Sequence, residues 1–256
     1  MLTGLVSVTF RKMTPAEIVR ITRKAGLDGI EWGSDVHCPP GDTTAAREIA
    51  TLMAENGLAT ISYGSYYQVG VCDHFDSIID TAVTLRTTNI RVWAGSVGSI
   101  MATKDDRRHI TEDSRRIARL AAERGLTISY EFHGESLTDS ITSTVQLLND
   151  INMDNVFSYW QPLGDFSFKE NIENLRKLVV MRKLKNIHMF EWTEVEKMPL
   201  ISGQEKWLRY IEAALPCSPA LLLEFVKGDD IQQFFEDAKT LKSIKARCNC
   251  NCSLSD

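Results

Sequence analysis

The chain has 256 residues, 43% of them hydrophobic and 25% charged, and carries a net charge of −5. That length suits one domain with a large core, while the acidic balance gives no basic field with which to neutralise nucleic-acid phosphates. No apolar run approaches the roughly 18 residues of a membrane helix, so neither nucleic acid nor membrane is an expected partner, and a small molecule is.

The first residues, Met1-Leu2-Thr3-Gly4-Leu5-Val6-Ser7-Val8, run at once into a strand-like pattern. No basic segment followed by an apolar stretch and a cleavage site precedes them, which sets a cytoplasmic location as the expectation. From there an apolar run recurs about every 30 residues, each followed by helical periodicity. The expected strands are 5–10, 29–32, 60–63, 90–93, 127–132, 156–160, 186–190 and 220–225. Most lack strict alternation, as strands covered on both faces do.

Thr14-Pro15-Ala16-Glu17 reads as a capping box with proline at the first helical position, and Ile18, Ile21 and Ala25 form an apolar stripe ended by Gly26. Gly57 and Gly125 are natural left-handed stops for later helices, and Asp229 with Gln232 reads as a capping box for the last one. Eight strand-then-helix units without a long linker predict a single (β/α)8 TIM barrel over 1–246, an α/β fold. A doubly wound open sheet is the alternative, disfavoured because no G-x-G-x-x-G turn follows the first strand. Cys38, Cys72 and Cys217 are scattered without ligand spacing. Residues 247–256, which hold Cys248, Cys250 and Cys252 in a C-x-C-x-C pattern unlike a zinc finger, read as a disordered tail.

Chemistry in such barrels sits at the C-terminal strand ends. Glu131 and Glu224 each follow an apolar or small run, Thr-Ile-Ser-Tyr and Ala-Leu-Leu-Leu, where an unpaired carboxylate costs several kcal/mol. His188 lies in Asn-Ile-His-Met-Phe on a strand between them. Two carboxylates and an imidazole converging there form a mixed N/O site for one divalent ion, Mn²⁺, Mg²⁺, Co²⁺ or Zn²⁺, and Gln161 could close the set with its amide oxygen. A turn-capping role before Pro162 explains Gln161 equally well. His37, in the loop with Pro39-Pro40-Gly41-Asp42, and Tyr63, Tyr66, Trp93, His133, Trp160 and Lys227 are candidates for substrate contact, against barrel packing or a solvated rim. Glu31 reads first as a structural anchor in the mouth.

The opening Gly-Leu-Val-Ser-Val-Thr-Phe, the phrase Ala-Gly-Leu-Asp-Gly-Ile-Glu-Trp with its following Asp-Val-His-x-Pro-Pro-Gly-Asp, and the strand-end Glu131, His188 and Glu224 together resemble the xylose-isomerase-like barrel superfamily. Its members include sugar isomerases, ketose 3-epimerases, hydroxypyruvate isomerase, inosose and dehydroshikimate dehydratases, and an endonuclease. The resemblance implies a metal held by glutamates from strands five and eight, a histidine from strand seven and a group from strand six. The chain departs from the epimerase pattern on strand six, where an aspartate followed three residues later by a histidine is replaced by Gln161-Pro162-Leu163-Gly164. Tyr63 and Trp93 stand where the endonuclease branch has zinc-binding histidines.

The expected activity is that of a divalent-metal-dependent isomerase or epimerase acting on a small polyhydroxylated carbonyl substrate. Glu131 and Glu224 serve as the acid and base that form an enediolate next to the carbonyl. A dehydratase or lyase of a keto-polyol or cyclic keto acid is the alternative, and a non-catalytic sugar-binding barrel the third. Substrate, metal and any homo-oligomer are left open by the sequence.

Overall fold

The computed structural model describes residues 1–193 and 195–252, the last four of these by backbone alone. The barrel is closed by parallel strands β1 (Thr3–Val6), β2 (Gly29–Gly33), β3 (Ala59–Gln68), β4 (Asn89–Trp93), β5 (Thr127–Tyr130), β6 (Val156–Trp160), β7 (Leu184–Met189) and β10 (Ala220–Leu223). A short antiparallel pair, β8 (Glu191–Trp192) and β9 (Lys197–Met198), follows β7 directly. Around the barrel run α1 (Pro15–Ala25), α2 (Thr43–Glu55), α3 (Phe75–Thr84), α4 (Lys104–Ala122), α5 (Ile141–Ile151), α6 (Phe168–Val180), α7 (Gln204–Ala214) and α8 (Ile231–Cys252). The expected (β/α)8 architecture is therefore the observed one. Among the described residues no helix is long and apolar enough to cross a membrane.

The local signals explain the elements. Thr14 accepts from the Glu17 amide while Glu17 accepts from Thr14, and Gly26 closes α1 in the left-handed region. Gly57 and Gly125 also have positive φ just beyond their helices. The first strand is shorter than expected. It pairs only as far as Val6, and Ser7–Phe10 form a 3-10 turn in which the Ser7 hydroxyl accepts the Gly33 amide. The last helix is capped one residue later than expected. Asp230 accepts the Gln233 amide, whereas the Asp229 carboxylate is taken by Lys197 at 2.7 Å.

The expected tail boundary at 246/247 also shifts. Arg247 pairs with Glu205 and Cys248 is fully buried, because α8 continues along α7 past that point. Cys250 and Cys252 lie on the same helix, their side chains outside the described residues, as are residues 253–256.

Strand alternation sorts the core into two layers. One set of residues, including Ile30, Trp32, Tyr63, Ile90, Tyr130, Trp160, Ile187 and Leu221, faces the helices in one large cluster. The alternate set lines the barrel interior: Val6, Tyr159, Ala220 and Leu222 pack there. Beside them runs a hydrogen-bonded belt. The Asn89 amide donates to the Ser62 hydroxyl at 2.9 Å and to the Tyr159 hydroxyl at 3.1 Å, Ser129 donates to Asn89 at 2.7 Å, and Asn186 donates to Tyr159 at 2.7 Å. Buried polar groups satisfied this way make a rigid platform for whatever stands over them.

Candidate active site

The interior-facing residues one step nearer the strand ends are charged. Glu31 on β2, Arg91 on β4, Glu131 just after β5, His188 on β7 and Glu224 just after β10 are all buried. Glu131, His188 and Glu224 each offer a ligand atom within 4.8 Å of the others. His188 Nδ1 lies 3.3 Å from a Glu224 oxygen and 3.8 Å from Glu131 Oε1.

On its other side His188 Nε2 lies 3.4 Å from Glu31 Oε1. Glu31 is in turn held by Arg91 Nε at 2.8 Å and by the Tyr159 hydroxyl, which donates at 2.7 Å. Arg91 also donates through Nη1 to Glu131 Oε2, the same oxygen that accepts from the Trp93 indole at 2.7 Å. That leaves Glu131 Oε1 facing the histidine. Gly64 is required here, since a Cβ would stand 2.7 Å from Arg91 Nη2 and 3.2 Å from Glu31 Oε1.

Charge decides what the cluster needs. Three carboxylates and one guanidinium sum to −2 before any charge on His188. With no other cation present, burial depresses the His188 pKa, but the carboxylates of Glu224 and Glu31 outweigh it and carry the value up to about 10. Burial likewise opposes ionisation of Glu31, yet Arg91 and His188 hold it down at about 2. Burial also disfavours the charged Arg91, and Glu131 and Glu31 more than restore it, raising its pKa well above the ordinary value.

Glu224 Oε2, Gln161 Oε1 and both ring nitrogens of His188 are buried without a hydrogen bond. Orphaned acceptors of this kind are rare in native interiors. A divalent ion fits both observations: it would cancel the −2 and give those oxygens and Nδ1 a partner. Glu31, against Nε2, is then placed as the outer carboxylate that fixes the ring for ligation through Nδ1.

The other expected site residues divide. Gln161 follows β6 and lines the mouth cavity, and its orphaned Oε1 caps no turn. Trp93 is stacked on His133, centroids 4.8 Å apart, and the His133 ring donates through Nδ1 to the Gly134 carbonyl. Tyr66, with φ of 53°, has the Arg91 guanidinium over its ring. Lys227 sits at the rim, 3.7 Å from Glu196.

Three others are engaged elsewhere. His37 has both ring nitrogens occupied, by Ser7 at 3.0 Å and Met13 at 3.1 Å, so it braces loops rather than facing the mouth. Tyr63 is fully buried and donates to the Cys38 carbonyl. Trp160 points outward against Trp207 and Tyr210 of α7. Sequence reasoning passed over Arg91, Tyr159 and the aromatic wall of the mouth. Arg91 carries the same signal that exposed Glu131, a charge inside an apolar strand.

That wall bounds a cavity of about 940 Å³ reaching from Gln161 and His133 to the β8–β9 pair. Phe190, Trp192 and Phe225 pack with centroid separations of 5.2 to 5.8 Å. Phe225, the residue after Glu224, has φ of 55°, a strained conformation for a bulky side chain of the kind found at functional sites.

Residues 19–197 match the family model described as xylose isomerase-like TIM barrel, and the chain belongs to that family. It is 24% identical over 211 residues to a protein of Bacillus anthracis named 3-dehydroshikimate dehydratase, covering 75% of this chain and 74% of the relative. Among solved structures it superposes on the probable 3-DHS dehydratase of petrobactin synthesis from the same organism. The TM-score is 0.80 at 18% identity, over 94% of this chain and 99% of that one. An L-ribulose 3-epimerase superposes with a TM-score of 0.75 at 14% identity, over 100% and 98% of the two chains.

Proposed function

We propose that the chain is a metal-dependent enzyme that removes a proton next to a carbonyl and eliminates water from a small cyclic keto compound. The observation that carries the choice of outcome is the aromatic wall of Phe190, Trp192 and Phe225 on the segments that directly follow His188 and Glu224. A ring can lay its face on such a wall, a contact that an open-chain polyol makes less completely. The likeness to a dehydratase and the absence of the epimerase pattern after β6 support the same reading.

Glu131, His188, Glu224 and Gln161 would hold the divalent ion. When bound, such an ion polarises a carbonyl oxygen and stabilises charge that develops on it. Glu224 accepts from neither Arg91 nor Trp93, so it is the less tightly held of the two carboxylates and the one to take the proton. Glu131, whose Oε2 is tied by Arg91 and Trp93, is held in place and keeps Oε1 for ligation. The electron pair left by the C–H bond then expels the β-hydroxyl, which takes a proton and departs as water. His133 lines the cavity with its Nδ1–H committed to the Gly134 carbonyl, so it would supply that proton through Nε2–H from the imidazolium form alone.

The test is incubation of the metal-loaded enzyme with a panel of cyclic keto acids, keto-inositols and keto-sugars in D₂O. Elimination gives a conjugated product with a new ultraviolet absorbance. Deuterium in a recovered sugar or its isomer without that absorbance would return the reading to isomerase or epimerase, which the paired Glu131 and Glu224 would also serve. No exchange on any of these compounds would leave a binding barrel.

A further inference from the structure

At the opposite end of the barrel from Glu131 and His188, the floor holds a cavity of about 600 Å³. It is walled by the first residues of β3, β7 and β10, by Phe157 of β6 and by the turn at Cys217 and Ser218. Two cationic side chains, Arg182 and Lys185, line it, and no aspartate or glutamate does. Among the described residues neither enters a salt bridge.

Two lysines share one aromatic ring. Lys185 Nζ lies 5.1 Å and Lys183 Nζ 5.2 Å from the centroid of the Phe157 ring. Lys183 donates to the Met153 carbonyl at 2.9 Å and has Asp154 nearby. Lys185 has no such carboxylate, and its burial lowers its pKa without an opposing charge. Unpaired cations on one cavity wall repel, and an anion beside Lys185 and Arg182 lowers that cost. Asn186 adds a buried polar group on the wall, and Ser218 a hydroxyl at the turn.

We propose that the barrel floor binds a small multivalent oxyanion, phosphate-bearing or polycarboxylate, between Lys185 and Arg182. The site is separate from the mouth and does not rest on the function proposed above. Cys217 lies in its wall, half-buried, and burial pushes its thiol pKa up, with the Leu184 backbone and Arg182 opposing only in part. An occupant therefore shields that thiol.

The experiment is calorimetric titration of the full chain with inorganic phosphate and, separately, with citrate, paired with peptide-resolved alkylation of cysteines. Saturable binding is expected for at least one probe. Lys185→Met should weaken it by about tenfold or more, the loss of one charge-assisted hydrogen bond. The bound probe should slow alkylation of Cys217 and leave the exposed Cys72 unchanged. Arg182 is exposed, so Arg182→Met gives a second variant that does not depend on the fold tolerating a change at Lys185. Absence of saturable binding by both probes, unchanged affinity in both variants, or unaltered Cys217 alkylation at saturation would overturn the proposal. Binding that survives both variants would place the anion elsewhere, at the mouth included.

Discussion

Arg91 is the residue on which the buried charges turn. It pairs with both Glu31 and Glu131 from the barrel interior, and removing one partner of such a network leaves buried carboxylates uncompensated. Arg91→Met should lower the unfolding free energy by about 3 kcal/mol, measured by urea denaturation, far more than loss of an exposed ion pair such as Arg209 with Glu212. A loss below about 0.5 kcal/mol would mean that the network is not formed in solution.

Gln161 is the next residue whose role can be read separately. As a ligand, it should tolerate Gln161→Asp with equal or tighter metal binding, while Gln161→Leu should weaken it, both followed by metal titration. Unchanged affinity in Gln161→Leu would leave the centre with Glu131, His188 and Glu224 alone.

What the sequence revealed at this scale followed from cost. Glu131, Glu224 and His188 stood out because charge or imidazole inside an apolar strand needs a partner. Arg91 met the same criterion in Asn-Ile-Arg-Val-Trp and could have been found by it. Tyr63 and Trp160 could not be placed, because at a strand end the decisive fact is which way the side chain points, and β6 sends Tyr159 inward and Trp160 outward.

Among the elements, the β8–β9 pair is the one that shapes the mouth. It follows His188 within a few residues, is tied to the last loop by Lys197 with Asp229, and brings Trp192 against Phe225. Trp192→Ala should leave the barrel folded, since Trp192 is largely exposed, and should reduce kcat/KM for a cyclic substrate by roughly three- to tenfold, the worth of one aromatic stacking contact. A variant with unchanged kcat/KM would remove Trp192 from the substrate wall. The pair was invisible in the sequence because strands of this length carry no periodicity. The eight barrel strands were visible because each is an apolar run followed by a capped, amphipathic helix. Their ends moved by a few residues where a side chain intervened, as Ser7 does at Gly33.

At the scale of the whole molecule, the closed barrel sets the chemistry by bringing β2, β4, β5, β7 and β10 to one interior. Residues that are 193 positions apart, Glu31 and Glu224, thereby share one histidine. The fold was legible from the repeat, and the triad from strand-end polarity combined with the family resemblance. The outcome of the reaction was not, since isomerisation, epimerisation and dehydration all begin with the same proton abstraction, and the choice lies in where the second acid points.

The central claim is that a buried charge of −2 around His188 holds a divalent ion. It is tested most directly by calorimetric titration of Mn²⁺ into chelator-treated protein, for the wild type and for Glu131→Gln and Glu224→Gln, with circular dichroism on each. The predicted result is about one ion per chain in the wild type and binding weakened by at least about tenfold in both variants, which keep the barrel's spectrum. No binding of Mn²⁺, Co²⁺, Zn²⁺ or Mg²⁺ by the wild type, or full binding by both variants, would contradict it.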